Sequence, residues 1–93
     1  MDKLELYKFA QENISEWHWE DWDDNSLTVF VSKYAILDLC KLLGYNYWDD
    51  GYGYEHTHLC PDGDISIDHF NDWCEDNDID PKEIFNEKGY WEE

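Results

Sequence analysis

A chain of 93 residues with 42% apolar and 18% aromatic content can build one small domain with a modest core, which excludes disorder throughout. Its 24 acidic residues stand against 6 lysines and no arginine, and the resulting net charge of −18 is repelled by nucleic acid and anionic membranes and attracted to basic protein surfaces or cations. No run approaches the roughly 18–20 apolar residues that span a bilayer, and the acidic N-terminus lacks the basic-then-apolar order of a signal peptide. The expected address is therefore cytoplasmic, or outside the cell only after processing.

In chain order, residues 2–16 read as a helix, because Leu6, Phe9 or Ala10, Ile14 and Trp17 recur at spacings of three and four without Gly or Pro. The run from Trp17 to Trp22 breaks that period, and Asp23, Asp24, Asn25 and Ser26 read as a turn. Leu27 to Val31, β-branched and aromatic, is the best strand. Ser32 is placed to cap a helix from Lys33 to Leu43, the most apolar in the chain, with Gly44 ending it in the left-handed conformation.

Residues 44–60 are dense in Gly and Tyr and predict a hairpin turning at Asp50–Gly51, with Tyr52, Tyr54, His56 and His58 on one strand face. A second turn is expected at Pro61, Asp62 and Gly63, a short strand at Ile65 and Ile67, and a helix over 67–76 on Ile67, Phe70, Trp73 and Cys74. Asp80 as cap, Pro81 in the first helical position and Glu83 three residues past the cap predict a last helix ending at Gly89. No repeat or low-complexity linker separates these pieces. The expected fold is one α+β domain spanning 1–93, with about four short helices packed on a small antiparallel sheet.

The charge is uneven. Residues 60–93 hold 12 acids and 2 lysines, net −10, whereas residues 32–59 hold 4 acids and 2 lysines, net −2. Like charges three and four apart cost a helix a few tenths of a kcal/mol per pair, and solubility asks a small domain for a net charge of only about 2–8 in magnitude. The excess therefore predicts a recognition surface built from Asp62, Asp64, Asp68, Asp72, Glu75, Asp76, Asp78 and Glu83, joined by Trp19, Glu20, Asp21, Trp22, Asp23 and Asp24. On a helix, Asp68, Asp72, Glu75 and Asp76 share one face. Trp17, Trp19, Trp22, Tyr47, Trp48 and Trp91 outnumber what a few short helices and a small sheet need inside, so some are expected at the surface as apolar anchors between the carboxylates.

Runs such as Trp19-Glu20-Asp21-Trp22-Asp23-Asp24 and Trp73-Cys74-Glu75-Asp76-Asn77-Asp78, in a strongly acidic chain under a hundred residues, resemble the small phage- or plasmid-encoded nucleic-acid mimics. That class includes blockers of restriction enzymes and CRISPR effectors. Its members share charge and size rather than a fold or motif, so the likeness spans the whole chain and carries over no catalytic residue. It implies a non-catalytic inhibitor in the host-cell cytoplasm that occupies a basic nucleic-acid-binding surface of a partner protein or nuclease complex, without binding nucleic acid itself.

The competing reading is a small acidic interaction module stabilised by a His/Cys metal site. His56, His58 and Cys60 alternate along a strand, His69 and Cys74 follow, and imidazole and thiolate are the ligands zinc prefers, although the usual Cys-x2-Cys and His-x3-His pairs are absent. Asp76, Asp78, Asp80 and Glu87 fit some positions of a calcium loop, but Pro81 stands where that loop turns on glycine. Three cysteines leave one unpaired whatever disulfide forms, and Cys40 and Cys74 read as small apolar helix residues. An enzyme is not expected: there is no Gly-rich phosphate loop, no nucleophile elbow and no arginine to hold an anionic substrate.

Overall fold

Alternation of buried Leu27, Val29 and Val31 with half-buried neighbours makes Ser26–Ser32 a strand with one face in the core. In the computed structural model, which describes residues 2–23, 26–44 and 57–92, this strand is the second of four. The chain runs α1 (Lys3–Asn13), β1 (Ile14–Asp21), β2 (Ser26–Ser32), α2 (Ile36–Leu43), β3 (Thr57–Leu59), β4 (Asp64–Ile67), α3 (Phe70–Glu75) and a single 3-10 turn at Pro81–Glu83. The antiparallel sheet has the order β1-β2-β4-β3. The α+β architecture matches expectation with three α-helices among the described residues, because Asp80 and Pro81 open only a 3-10 turn where a fourth helix was expected.

The first helix stops earlier than its periodicity suggests. Asp2 caps α1 by accepting from the Glu5 amide at 2.9 Å, and Leu6 and Ala10 are buried, but from Ile14 the chain is extended. Strand β1 pairs with β2 at Trp17↔Val29 and Trp19↔Leu27, with a bulge between Ile14 and Glu16. That extra residue puts buried Ile14 three positions before Trp17, a spacing that imitates a helical stripe although the backbone is a strand.

Register across the sheet aligns Trp17, Val29, Ile67 and Thr57, with Val31 and Ile65 paired alongside, and these side chains share the core face. Against them pack Leu6 and Ala10 of α1, Ile36, Leu39, Cys40 and Leu43 of α2, and Phe70, Trp73 and Cys74 of α3, all in one cluster. The sequence signals around α2 hold in part: Gly44 ends it with φ 82, while Ser32 accepts from the Tyr34 amide in the preceding turn and the helix begins only at Ile36. The Asp50–Gly51 hairpin, with Tyr52, Tyr54 and His56, lies outside the described residues. The turn at Pro61 to Gly63 joins β3 to β4, closed by the Gly63 amide donating to the Cys60 carbonyl at 3.0 Å.

Residues 79–91 close the domain with little regular structure beyond the 3-10 turn at Pro81–Glu83. Ile79, Ile84 and Phe85 are buried, and the Asn86 side-chain oxygen accepts from the amides of Lys88 at 2.9 Å and Gly89 at 3.1 Å, turning the chain back toward β1. There the Trp17 amide donates to the Gly89 carbonyl at 3.1 Å, and Tyr90 bridges to Glu16. This segment covers part of the exposed edge of β1, which would otherwise present unpaired backbone groups.

Candidate acidic interface

The carboxylates expected to form a continuous ridge fall into three groups. Asp62 is exposed on the β3–β4 turn, and Asp64 is half-buried at the start of β4. Asp68 lies before α3, not on it, because His69 is in the left-handed region (φ 56) and separates it from the helix. It turns toward the sheet, accepting from the Thr28 hydroxyl at 3.2 Å and pairing with the His58 ring at 3.3 Å. The shared helical face therefore holds for Asp72, Glu75 and Asp76, all exposed, and excludes Asp68.

Asp78 continues the second group through the way α3 ends. The Ile79 amide donates to the Cys74 carbonyl at 2.9 Å and the Asp78 amide to the Glu75 carbonyl at 3.0 Å, a Schellman closure with Asp78 at the left-handed position (φ 59) and Ile79 buried behind it. Alternation of buried Phe70, Asn71, Trp73, Cys74 and Ile79 with exposed Asp72, Glu75, Asp76 and Asp78 fixes the acids on backbone anchored from below. Among the described residues no cation pairs with Asp72, Glu75 or Asp78, whereas Glu83 is held by Lys3 at 3.0 Å and Glu92 by Lys88 at 2.7 Å.

The third group lies at the end of β1 and in the turn that follows, where Glu20, Asp21 and Asp23 are exposed and Asp24 lies outside the described residues. It is remote in sequence from the 3-10 turn, yet the two touch. The Trp19 indole donates to the Phe85 carbonyl at 3.1 Å, and the Lys82 ammonium lies 5.1 Å from the centre of the Trp22 ring. Sequence alone gives no sign of this contact, nor of Lys3 and Lys82 as the cations set among these acids.

Of the aromatics expected to supply exposed anchors, Trp17 and Trp19 are corrected, while Tyr47 and Trp48 lie outside the described residues. Trp17 and Trp19 are buried, their indoles donating to the carbonyls of Asn86 (2.7 Å) and Phe85, while Trp73 is buried on the core side of α3 as its helical spacing predicts. Trp22 and Trp91 are half-buried against the same core. A strand in place of a loop is the reason: alternation along β1 turns Trp17 and Trp19 inward together. The large apolar side chains that do face outward include Tyr34, Leu37, Leu59 and Tyr90.

The zinc reading is also overturned. Among the described residues no group of three or more His, Cys, Asp or Glu side chains could hold a metal ion. Cys74 is sealed in the core behind α3, Cys60 sits in the β3–β4 turn, His58 is exposed on β3 beside Asp68, and His69 is exposed at the left-handed position before α3; His56 lies outside the described residues. The calcium-loop positions Asp76, Asp78 and Asp80 are occupied by the end of α3 and the cap of the 3-10 turn, where Asp80 accepts from the Lys82 amide at 3.0 Å. No disulfide joins Cys40, Cys60 and Cys74.

Burial, and behind it the charges of Glu75 and Asp80, push the Cys74 thiol far above its ordinary value of 9.0. A pKa raised by folding stabilises the native state fully below the unfolded value and loses that contribution as pH climbs beyond it. Relative to Cys74→Ala, the wild-type protein should therefore lose stability above about pH 9, at a slope of about 1.4 kcal/mol per pH unit. Melting curves of both proteins across that range decide the matter, and parallel declines would contradict the assignment.

Among the described residues no helix is long and apolar enough to cross a membrane. Comparison with known protein families, curated proteins and solved structures found no match to the chain.

Proposed function

We propose that this protein is a non-catalytic inhibitor that presents ordered carboxylates to a basic protein surface which otherwise holds nucleic acid. The supporting observation is the exposed set Asp72, Glu75 and Asp78, fixed on anchored backbone and without a cation among the described residues, within a C-terminal third of net −10. Like charges three and four residues apart on a short helix oppose folding, so the density of carboxylates there suits an external cationic surface. Duplex DNA carries one charge per roughly 1.7 Å of axis, and its binders line their clefts with Lys and Arg to match. Neighbouring carboxylates on a helix, with Cβ atoms about 5–6 Å apart, offer such a cleft a comparable density of negative charge.

The test begins with a partner captured from the source cell, which is then titrated with labelled duplex in the presence of this protein at two salt concentrations. The expected result is displacement of the duplex, relieved at saturating DNA and weakened as ionic strength rises, because charge contacts dominate. A partner with no nucleic-acid function, or simultaneous binding of both ligands without mutual weakening, would overturn the reading.

A further inference from the structure

Helix α2 divides its residues between two sides. Ile36, Leu39, Cys40 and Leu43 enter the core, while Leu37, Asp38 and Lys41 face outward, with Leu37 55% exposed; Tyr34, in the turn before the helix, is 85% exposed. Spacings of three and four place Leu37, Asp38 and Lys41 on one outer stripe. Among the described residues Tyr34 and Leu37 are exposed large apolar side chains, as are Leu4, Leu59 and Tyr90, whereas Trp17, Trp19, Phe70, Trp73 and Phe85 are buried in the core cluster.

Charge singles out the same face. Lys33 and Lys41 stand against Asp38 alone, a locally positive stretch in a chain of net −18. Lys33 lies over the Tyr34 ring at 5.2 Å, and neither it nor Lys41 makes an ion pair among the described residues. Two copies of so acidic a chain repel each other at nearly every approach, and least where these lysines lie.

We propose that this outer face of α2 is where two copies of the chain meet about a two-fold axis. An isologous contact must complement itself, since any residue that meets a second brings the second to the first. Asp38 and Lys41 satisfy this: opposite in sign and adjacent on one stripe, they form two reciprocal pairs when two α2 helices cross antiparallel, and Leu37 and Tyr34 of each copy flank these pairs on the outside. The contact uses none of the α3 carboxylates, so it stands or falls independently of the proposed inhibitory role.

Sedimentation equilibrium of the full chain from about 5 to about 500 µM reads the association directly. The expected result is a monomer–dimer equilibrium that tightens with added salt, as screening relieves repulsion between the copies. Leu37→Glu should abolish it, and Asp38→Lys or Lys41→Asp alone should each raise the dissociation constant about tenfold. The double exchange Asp38→Lys with Lys41→Asp should restore it, which only a self-complementary contact predicts. Circular dichroism establishes that each variant is folded before its mass is interpreted. A wild-type monomer throughout the range, failure of the double exchange to restore association, or oligomers beyond the dimer that dissolve in salt would each overturn the proposal. The last result would indicate a head-to-tail contact between lysines and carboxylates.

Discussion

Trp17→Ala is expected to destabilise the domain by about 3–5 kcal/mol, a large share of the roughly 5–15 kcal/mol available to a small protein. The side chain joins three parts of the fold: it lies opposite Val29 in the sheet, its indole donates to the Asn86 carbonyl at 2.7 Å, and its ring meets Phe85 and Trp91 edge-on at centroid distances of 5.1 and 4.6 Å. Truncation opens a cavity and leaves a carbonyl without its donor. Trp17→Phe keeps most of the ring contact and should cost less, about 1–3 kcal/mol. Urea unfolding followed by circular dichroism measures both, and near-equal losses would show that the indole hydrogen bond, rather than packing, carries the contribution.

The same segment contains a backbone test. Gly89 has φ 92, and a Cβ there would stand 2.6 Å from the Trp17 carbonyl oxygen, a backbone atom fixed by strand pairing. Gly44 has a similar φ of 82 with nothing within 4 Å of its Cβ position. Gly44→Ala should therefore cost only the left-handed conformation, about 1 kcal/mol, while Gly89→Ala should cost distinctly more, because the chain must withdraw from β1.

These residues also explain what could be read in the sequence. The strand from Leu27 to Val31 and the glycine stop at Gly44 were legible because each rests on local chemistry, β-branched alternation in one case and freedom from a Cβ in the other. Strand β1 was hidden by its bulge, which gave Ile14 and Trp17 the spacing of a helix. The expected C-terminal helix failed for a tertiary reason: Phe85 and Asn86 hand their carbonyls to Trp19 and Trp17, acceptors that a helix would have used internally. Gly89, expected to end that helix, does have a positive φ, but it closes against β1 and ends no helix.

Legibility of the site divides in the same way. Carboxylates are exposed wherever the backbone allows, so Asp72, Glu75, Asp76 and Asp78 could be placed at the surface from composition and helical spacing alone. Their partition could not, because it turns on the left-handed backbone at His69 and on hydrogen bonding of Asp68 to Thr28, forty residues away. The tryptophans misled because an aromatic beside acids reads as an interface anchor, whereas strand pairing sends Trp19 inward.

Charge reversal on α3 should have the largest effect on partner binding. Asp72→Lys, Glu75→Lys and Asp76→Lys together, at about 1 kcal/mol for each rim position, should weaken binding about a hundredfold. Asp78 is better left intact, because lysine is strained at its φ of 59. A matched set, Glu5→Lys, Glu12→Lys and Glu16→Lys on α1 and β1, also moves the net charge from −18 to −12 but leaves α3 untouched. If location matters, the α1–β1 set should retain most of the affinity measured by calorimetry, and its residual loss should vanish at high salt, where only the general field has been screened. Asp2 is unsuitable for that control because its carboxylate caps α1. Equal losses from the two sets at every salt concentration would mean that the partner senses total charge, and the ordered carboxylates of α3 would then have no special part in recognition.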